Sequence, residues 1–423
     1  MENSECNSEI TKEKDTKSEE SNTVVDDNGF RLSSNIDAND LDKETAEKLK
    51  GDTIGDTLYS QSFVLKTLLQ FSELQWDEQV EEDLCFLWDM TVERDVCKFL
   101  LDVSYPSITA AAVVQHSENN RFVEIVIGVL ANVFCSGCDN SMKKEEITII
   151  LGVLQSDDPL VLVQVMRFIS VSVESSALIL SLIDENIFGQ ICFILKNSVN
   201  TDLLLKTMEA VAKLTTNFRI KEALVTYNVY DSVMICYNTL IKMDGDQFDP
   251  DTKEKVSSIR YMVEIIVNVY AYIEHFEKDQ LLTQIQANSN IFVNEILKIL
   301  GFFCLEENLL PVTDNLIFIM SAIAYIYTNL KLNYIPDIFL SVTKILEQLI
   351  DIKDEVGDIF DSALELQCYL ISCTKEEDIQ RDLKCLSRST VKKVLNVVNE
   401  NFSKYNLSSD ISDSLLKYYK QLR

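Results

Sequence analysis

RFVEIVIGVLANVFC, residues 121–135, is apolar around nearly the whole circumference that a 3.6-residue period gives it. A helix of that kind needs neighbours on more than one side, because a single buried stripe would leave the rest of its apolar surface in water. Comparable runs occupy residues 160–173 and 203–214, and another covers 259–273. Upstream, Val80, Leu84, Leu87 and Trp88 fall at i, i+4, i+7 and i+8, and Val92, Val96, Phe99, Leu100 and Val103 repeat the rule. These predict two consecutive amphipathic helices. Downstream, residues 291–304, 312–330, 338–350 and 359–373 continue the helical pattern.

Taking Asn132, Ile169 and Lys213 as equivalent gives spacings of 37 and 44 residues, close to the roughly 40–47 of armadillo and HEAT units. The expected architecture is all-α, an armadillo/HEAT-like right-handed helical solenoid with a disordered acidic N-terminal tail. Ten glycines and five prolines in 423 residues are too few for the turns of a many-stranded fold. Asp158 before Pro159 and Asp249 before Pro250 read as helix starts, with an N-cap oxygen ahead of a proline at the first turn. Pro106, Pro311 and Pro336 are expected at helix starts as well.

Residues 1–50 hold 14 acidic and 7 basic side chains among few apolar ones, too little apolar surface to offset the entropy of ordering. They are expected to be a disordered acidic tail. Residues 51–379 form the helical array, interrupted by the polar stretch DGDQFDPD at 244–251. Residues 380–423 carry nine basic and four acidic side chains, and Val391, Val394, Leu395, Val398 and Phe402 make one apolar stripe. This predicts a helical cap with a basic outer face.

The formal charge of −30 repels phosphate backbones and anionic lipid, so neither nucleic acid nor a membrane is an expected partner. The opening MENSECNSEITKEK puts charge where a signal peptide would be apolar, and export is not expected. Eleven cysteines at irregular spacing suit reduced thiols packed as small core residues. Cys135 and Cys138 form a CxxC pair with no second pair to complete a zinc site. They read as a core thiol ending a helix and a loop thiol. His116 and His275 stand in unrelated helical contexts, and no GxSxG, HExxH or GxxxxGK motif occurs. No catalytic, cofactor or metal site is therefore expected. Trp88 reads as a core anchor, and Tyr325, Tyr327 and Tyr334 as packing residues.

Asn132 and Lys213 are the candidate protein-binding residues. A carboxamide both donates and accepts, which is what an extended backbone needs from a groove side chain; the competing reading is an Asn satisfying a neighbouring helix end.

GDTIGDTLYS (51–60), LWDMTVERDVCKFLLD (87–102), EIVIGVLANVFC (124–135) and NTDLLLKTMEAVAKL (200–214) together resemble the serum amyloid A-like protein family, also called synoviocyte proliferation-associated proteins. Ala131 stands where that pattern has glycine. The resemblance implies an armadillo-type fold, a nuclear location, a role in promoting cell proliferation and no enzymatic activity. Asparagines on the third helix of armadillo units line a peptide groove, which adds to the interest of Asn132. The functional expectation is a monomeric, non-enzymatic protein-interaction scaffold for basic proteins or basic peptides, in the nucleus with the cytoplasm as a second compartment. The alternative is a cytosolic chaperone-associated or transport adaptor.

Overall fold

The computed structural model describes residues 52–137, 142–173, 176–217, 229–243, 253–276 and 289–401, with a few positions beside and beyond them. The acidic tail, Cys138, the 244–251 stretch with its Asp249–Pro250 pair, and Phe402 lie outside the described residues. Among those described, the chain is all-α; the sole β feature is an isolated bridge between Thr53 and Ser60. Two units result, one ending at Val103 and the other beginning at Ser104.

The first unit contains α1 (Gln61–Leu69), α2 (Glu78–Met90) and α3 (Arg94–Asp102). Each of the first two has an N-cap side chain: Ser60 accepts from the Phe63 N–H and Asp77 from the Val80 N–H. Val64, Leu84, Leu87, Val96 and Leu100 form the enclosed face. Val92, counted in the helical stripe, sits in the turn between α2 and α3 and is 82% exposed. The helix stops at Met90 because the N–H groups of Thr91, Val92 and Glu93 tighten onto carbonyls three residues back. Trp88, expected as a core anchor, is half-buried, while Leu87 beside it is fully enclosed.

The loop before α1 is held by carboxylates. Asp52 accepts from the Ser62 N–H (2.9 Å), Ser62 Oγ (2.7 Å) and Ser60 Oγ, which hold its carboxyl below the usual carboxylate range. Gly55 is left-handed (φ 55°), and Asp95 at the start of α3 accepts the Asp56 N–H at 3.1 Å. A Cβ on Gly55 would overlap that carboxylate.

The second unit is a helical solenoid of stacked elements. One continuous row is formed by α5 (Asn120–Cys135), α7 (Pro159–Ser172), α10 (Thr201–Thr215), α12 (Lys253–His275), α15 (Asp314–Asn329) and α17 (Gly357–Ser372), each packed on the next. Outside the row lie α4 (Tyr105–Gln115), α6 (Lys144–Gly152), α8 (Ala177–Leu182), α9 (Glu185–Asn197), α11 (Val229–Met243), α13 (Ser289–Phe303), α14 (Glu306–Leu309), α16 (Pro336–Leu349), α18 (Glu376–Leu383) and α19 (Arg388–Glu400). Twelve of the sixteen residues of α5 are buried, Asn132 being among the exceptions, as its sequence demands.

The N-caps set the repeat. Asn119, Asp158 and Asn200 each accept a backbone N–H of the first turn, and they stand 39 and 42 residues apart. This register aligns Asn132 with Val171 and Lys213. Ile169, proposed as the middle equivalent, is fully buried and lies two residues away, on the core side of α7. Polar links between successive elements keep a similar interval of 35 to 43 residues, as in Ser107–Glu146, Asn132–Arg167, Ser321–Ser362 and Glu347–Thr390. Pro106 and Pro336 lie in the first turns of α4 and α16, whereas Pro311 lies ahead of Thr313, the N-cap of α15.

The last helices, α18 and α19, pack against α16. Val391, Val394, Leu395 and Val398 bury one face of α19. On its outer side Lys393 pairs with Asp351 at 2.8 Å, and beyond it Lys404 pairs with Asp361 at 2.9 Å. Part of the basic excess thus neutralises neighbouring acids. Tyr334 donates to Asp382 of α18 at 2.7 Å.

Candidate functional site: the polar face of the helix row

Each of α5, α7, α10 and α12 carries a short polar pair, three or four residues apart, on a half-exposed stripe. On α5, Arg121 donates to Glu124 at 2.9 Å. On α7, Arg167 Nη1 donates to Gln164 Oε1 at 2.6 Å. On α10, Lys206 reaches Glu209 at 2.8 Å, and on α12 Arg260 stands 4.0 Å from Glu264. This spacing brings both members to one helix face. In all four the acceptor is less exposed than a free surface group: Glu124 and Gln164 are buried, and Glu209 and Glu264 are half-buried. A buried carboxylate needs such a partner.

Further bonds run across the row. Arg167 Nη2 donates to Asn132 Oδ1 at 2.7 Å, joining α7 to α5. Ser170 Oγ lies 3.5 Å from Glu209, and Asn268 Nδ2 donates to Thr215 Oγ1 at 3.0 Å. Arg260 Nη1 donates to Asn315 Oδ1 at 2.6 Å, with its guanidinium 5.4 Å from the centre of the Phe318 ring. Burial raises the Glu264 carboxyl, against the opposing charges of Arg260 and Lys213. Burial also raises the Tyr261 hydroxyl, helped by Glu209 and Glu264. Lys213 therefore belongs to the same electrostatic patch as the α12 pair.

The two sequence candidates end up on one helix row. Asn132 is half-buried with its carbonyl oxygen already taken by Arg167, so a ligand using that oxygen must displace a charge-assisted bond. Lys213 is half-buried at the equivalent repeat position on α10. Sequence reading missed Gln164, Arg167, Lys206, Glu209, Arg260 and Glu264. Their signal was present for Gln164 and Arg167, a polar pair at helical spacing in an otherwise apolar run; Lys206, Glu209, Arg260 and Glu264 lie among other polar residues of α10 and α12, where spacing alone does not single them out.

Chemically this face can hydrogen-bond and pair charge. Among the described residues no group of three or more His, Cys, Asp or Glu side chains is placed to hold a metal ion. Cys135, expected in the core, is exposed at the last position of α5. Among the described residues Cys97, Cys192, Cys236 and Cys368 are buried thiols, and burial pushes the last three up to about 11, 12 and 12. Tyr327 is enclosed and donates to the Asn333 carbonyl at 2.7 Å, while Tyr325 stands edge-on to Tyr270. The imidazole of His116 packs edge-on to Phe122, and that of His275 on Phe276. No single helix among the described residues is long and apolar enough to cross a membrane.

No protein-family model matches the chain. A solved structure described as an engineered protein aligns with a TM-score of 0.47 at 12% identity, over 84% of this chain and 77% of that one. Curated relatives match a shorter stretch: Protein saal1 of Danio rerio is 31% identical over 193 residues, 40% of this chain and 41% of the relative. Protein SAAL1 of Homo sapiens and of Mus musculus are each 32% identical over 189 residues, 39% of this chain and 40% of theirs. The chain thus matches about two fifths of the length of these relatives, and over that stretch it is similar to SAAL1 proteins of fish and mammals.

Proposed function

We propose that this protein is a non-enzymatic interaction scaffold of the serum amyloid A-like kind, acting in the nucleus and cytoplasm to promote cell proliferation. Its helix row offers the docking area, and its partners are basic proteins or proteins with basic segments. The observation that carries the reading is the polar stripe, in which α5, α7, α10 and α12 each present a half-exposed polar pair at helical spacing. Such a stripe can hydrogen-bond and pair charge with a segment laid across the row. The partial similarity to SAAL1 proteins supports the family assignment, and a net charge of −30 favours encounter with positive ligands.

The test is proximity labelling in proliferating cells with the full chain, beside the double variant Asn132→Ala/Glu209→Lys, which reverses an acidic charge of the stripe. The expected result is a reproducible set of basic nuclear or cytoplasmic neighbours that shrinks severalfold in the double variant. An identical set from both chains, with only thermal stability lowered in the variant, would make Asn132 a purely structural residue and remove this face from the proposal.

A further inference from the structure

At the edge of the second unit where the row helices begin, two crevices open side by side. One, of about 620 Å³, lies between the start of α7, the end of α9 and the start of α10, with Leu162, Ile194 and Leu203 among its walls. The other, of about 840 Å³, lies between the ends of α4 and α6 and the starts of α5 and α7, and includes Val114, Val123 and Val161. Gln155, Ser156 and Asp157 line both, so a single wall separates them.

The rims are unusually apolar for exposed positions: Phe193 is 65% exposed, Val199 76% and Val114 62%. Phe193 and Val199 line the first crevice together and Val114 lines the second, so these exposed apolar groups are gathered at the two openings, as at a contact surface. The charged residues among the linings are acids alone, Asp157 on the shared wall and Glu118 on the second crevice. Asp158 is spent on the α7 cap and on Asn120, whereas no hydrogen bond or ion pair among the described residues engages Asp157 or Glu118. Gln190, on the wall of the first crevice, holds its Oε1 buried without a donor among the described residues.

We infer that this double crevice docks a partner segment in which a large apolar side chain is followed closely by Lys or Arg. The apolar side chain covers Phe193 and Val199, and the cation meets Asp157. This rests on the scaffold reading above but assigns a different face from the Asn132 stripe. A second copy of the chain is disfavoured as occupant because it brings the same acidic surface, at −30 per chain. An acidic peptide meets Asp157 and Glu118 with like charge.

The test uses the full chain on an array of synthetic twelve-residue peptides in three sets: Phe or Leu with Lys and Arg, Phe or Leu with Asp and Glu, and Lys and Arg in Gly/Ser. Variants are Phe193→Ser and Asp157→Lys, both at exposed positions, with Asn132→Ala as the comparison. Retention of the first set, weakened at least tenfold by either crevice variant and unchanged by Asn132→Ala, supports the inference. Equal retention of the acidic set, retention of none, or crevice variants that bind as the parent chain does would overturn it. Loss in Asn132→Ala alone would overturn it while leaving the scaffold reading in place. A dimer in sedimentation that Phe193→Ser dissolves would assign the crevice to a second copy and overturn it as well.

Discussion

Gly55 shows how a single residue couples two distant segments. Its positive φ is unfavourable for any side chain, and its Cα approaches Asp95 so closely that an added Cβ would meet the carboxylate. The Asp56 N–H bond to Asp95 depends on that approach. Gly55→Ala is therefore expected to destabilise the first unit by about 2 kcal/mol, combining left-handed strain with the displaced carboxylate; chemical denaturation monitored at Trp76 and Trp88 checks it. An unchanged midpoint would mean that the loop relaxes without using Asp95. The segments 51–60 and 87–102 each carried part of the family resemblance, and the structure joins them through this contact.

At the level of elements, the capping groups do more than start helices. Glu146 closes the first turn of α6 by accepting the Lys143 N–H at 2.8 Å, and its other oxygen accepts Ser107 Oγ of α4 at 2.5 Å. Burial raises this carboxyl, but the Ser107 and Lys143 bonds and the Lys143 charge outweigh it, and its pKa is lowered. A carboxyl depressed in the folded state contributes stability above its unfolded pKa of about 4.3 and loses it as pH falls through the folded value. Glu146→Gln should cost about 1–2 kcal/mol at pH 7 through loss of charge-assisted bonds. Toward pH 3 the gap between parent and variant should close, as read from urea unfolding at both pH values. A gap that persists undiminished in acid would assign the cost to packing instead.

Over the whole molecule, 68 acidic side chains face 38 basic ones, and self-repulsion opposes the compact state at low ionic strength. The exposed pairs Lys393–Asp351 and Lys404–Asp361 lose strength in salt, but exposed pairs contribute little individually. Raising NaCl from 20 to 300 mM is thus expected to raise the unfolding midpoint by about 2 °C or more, equivalent to ~1 kcal/mol. A fall in the midpoint would show that the paired charges outweigh the repulsion.

The all-α class, the helices near residues 121–135, 160–173 and 203–214, and the Asp158 cap were legible because apolar periodicity and capping act over a few residues. The register of the repeat was not. Ile169 and Val171 are both apolar and two positions apart, so composition could not say which faces the stripe shared by Asn132 and Lys213; packing of α7 between α5 and α10 decided it. The same holds for Asn132 itself. Its suitability for a groove could be read from its carboxamide, but the guanidinium that occupies it comes from Arg167, 35 residues on. Local sequence fixes which side chains a helix displays, and only the stacking of one helix on the next determines which partners those side chains meet.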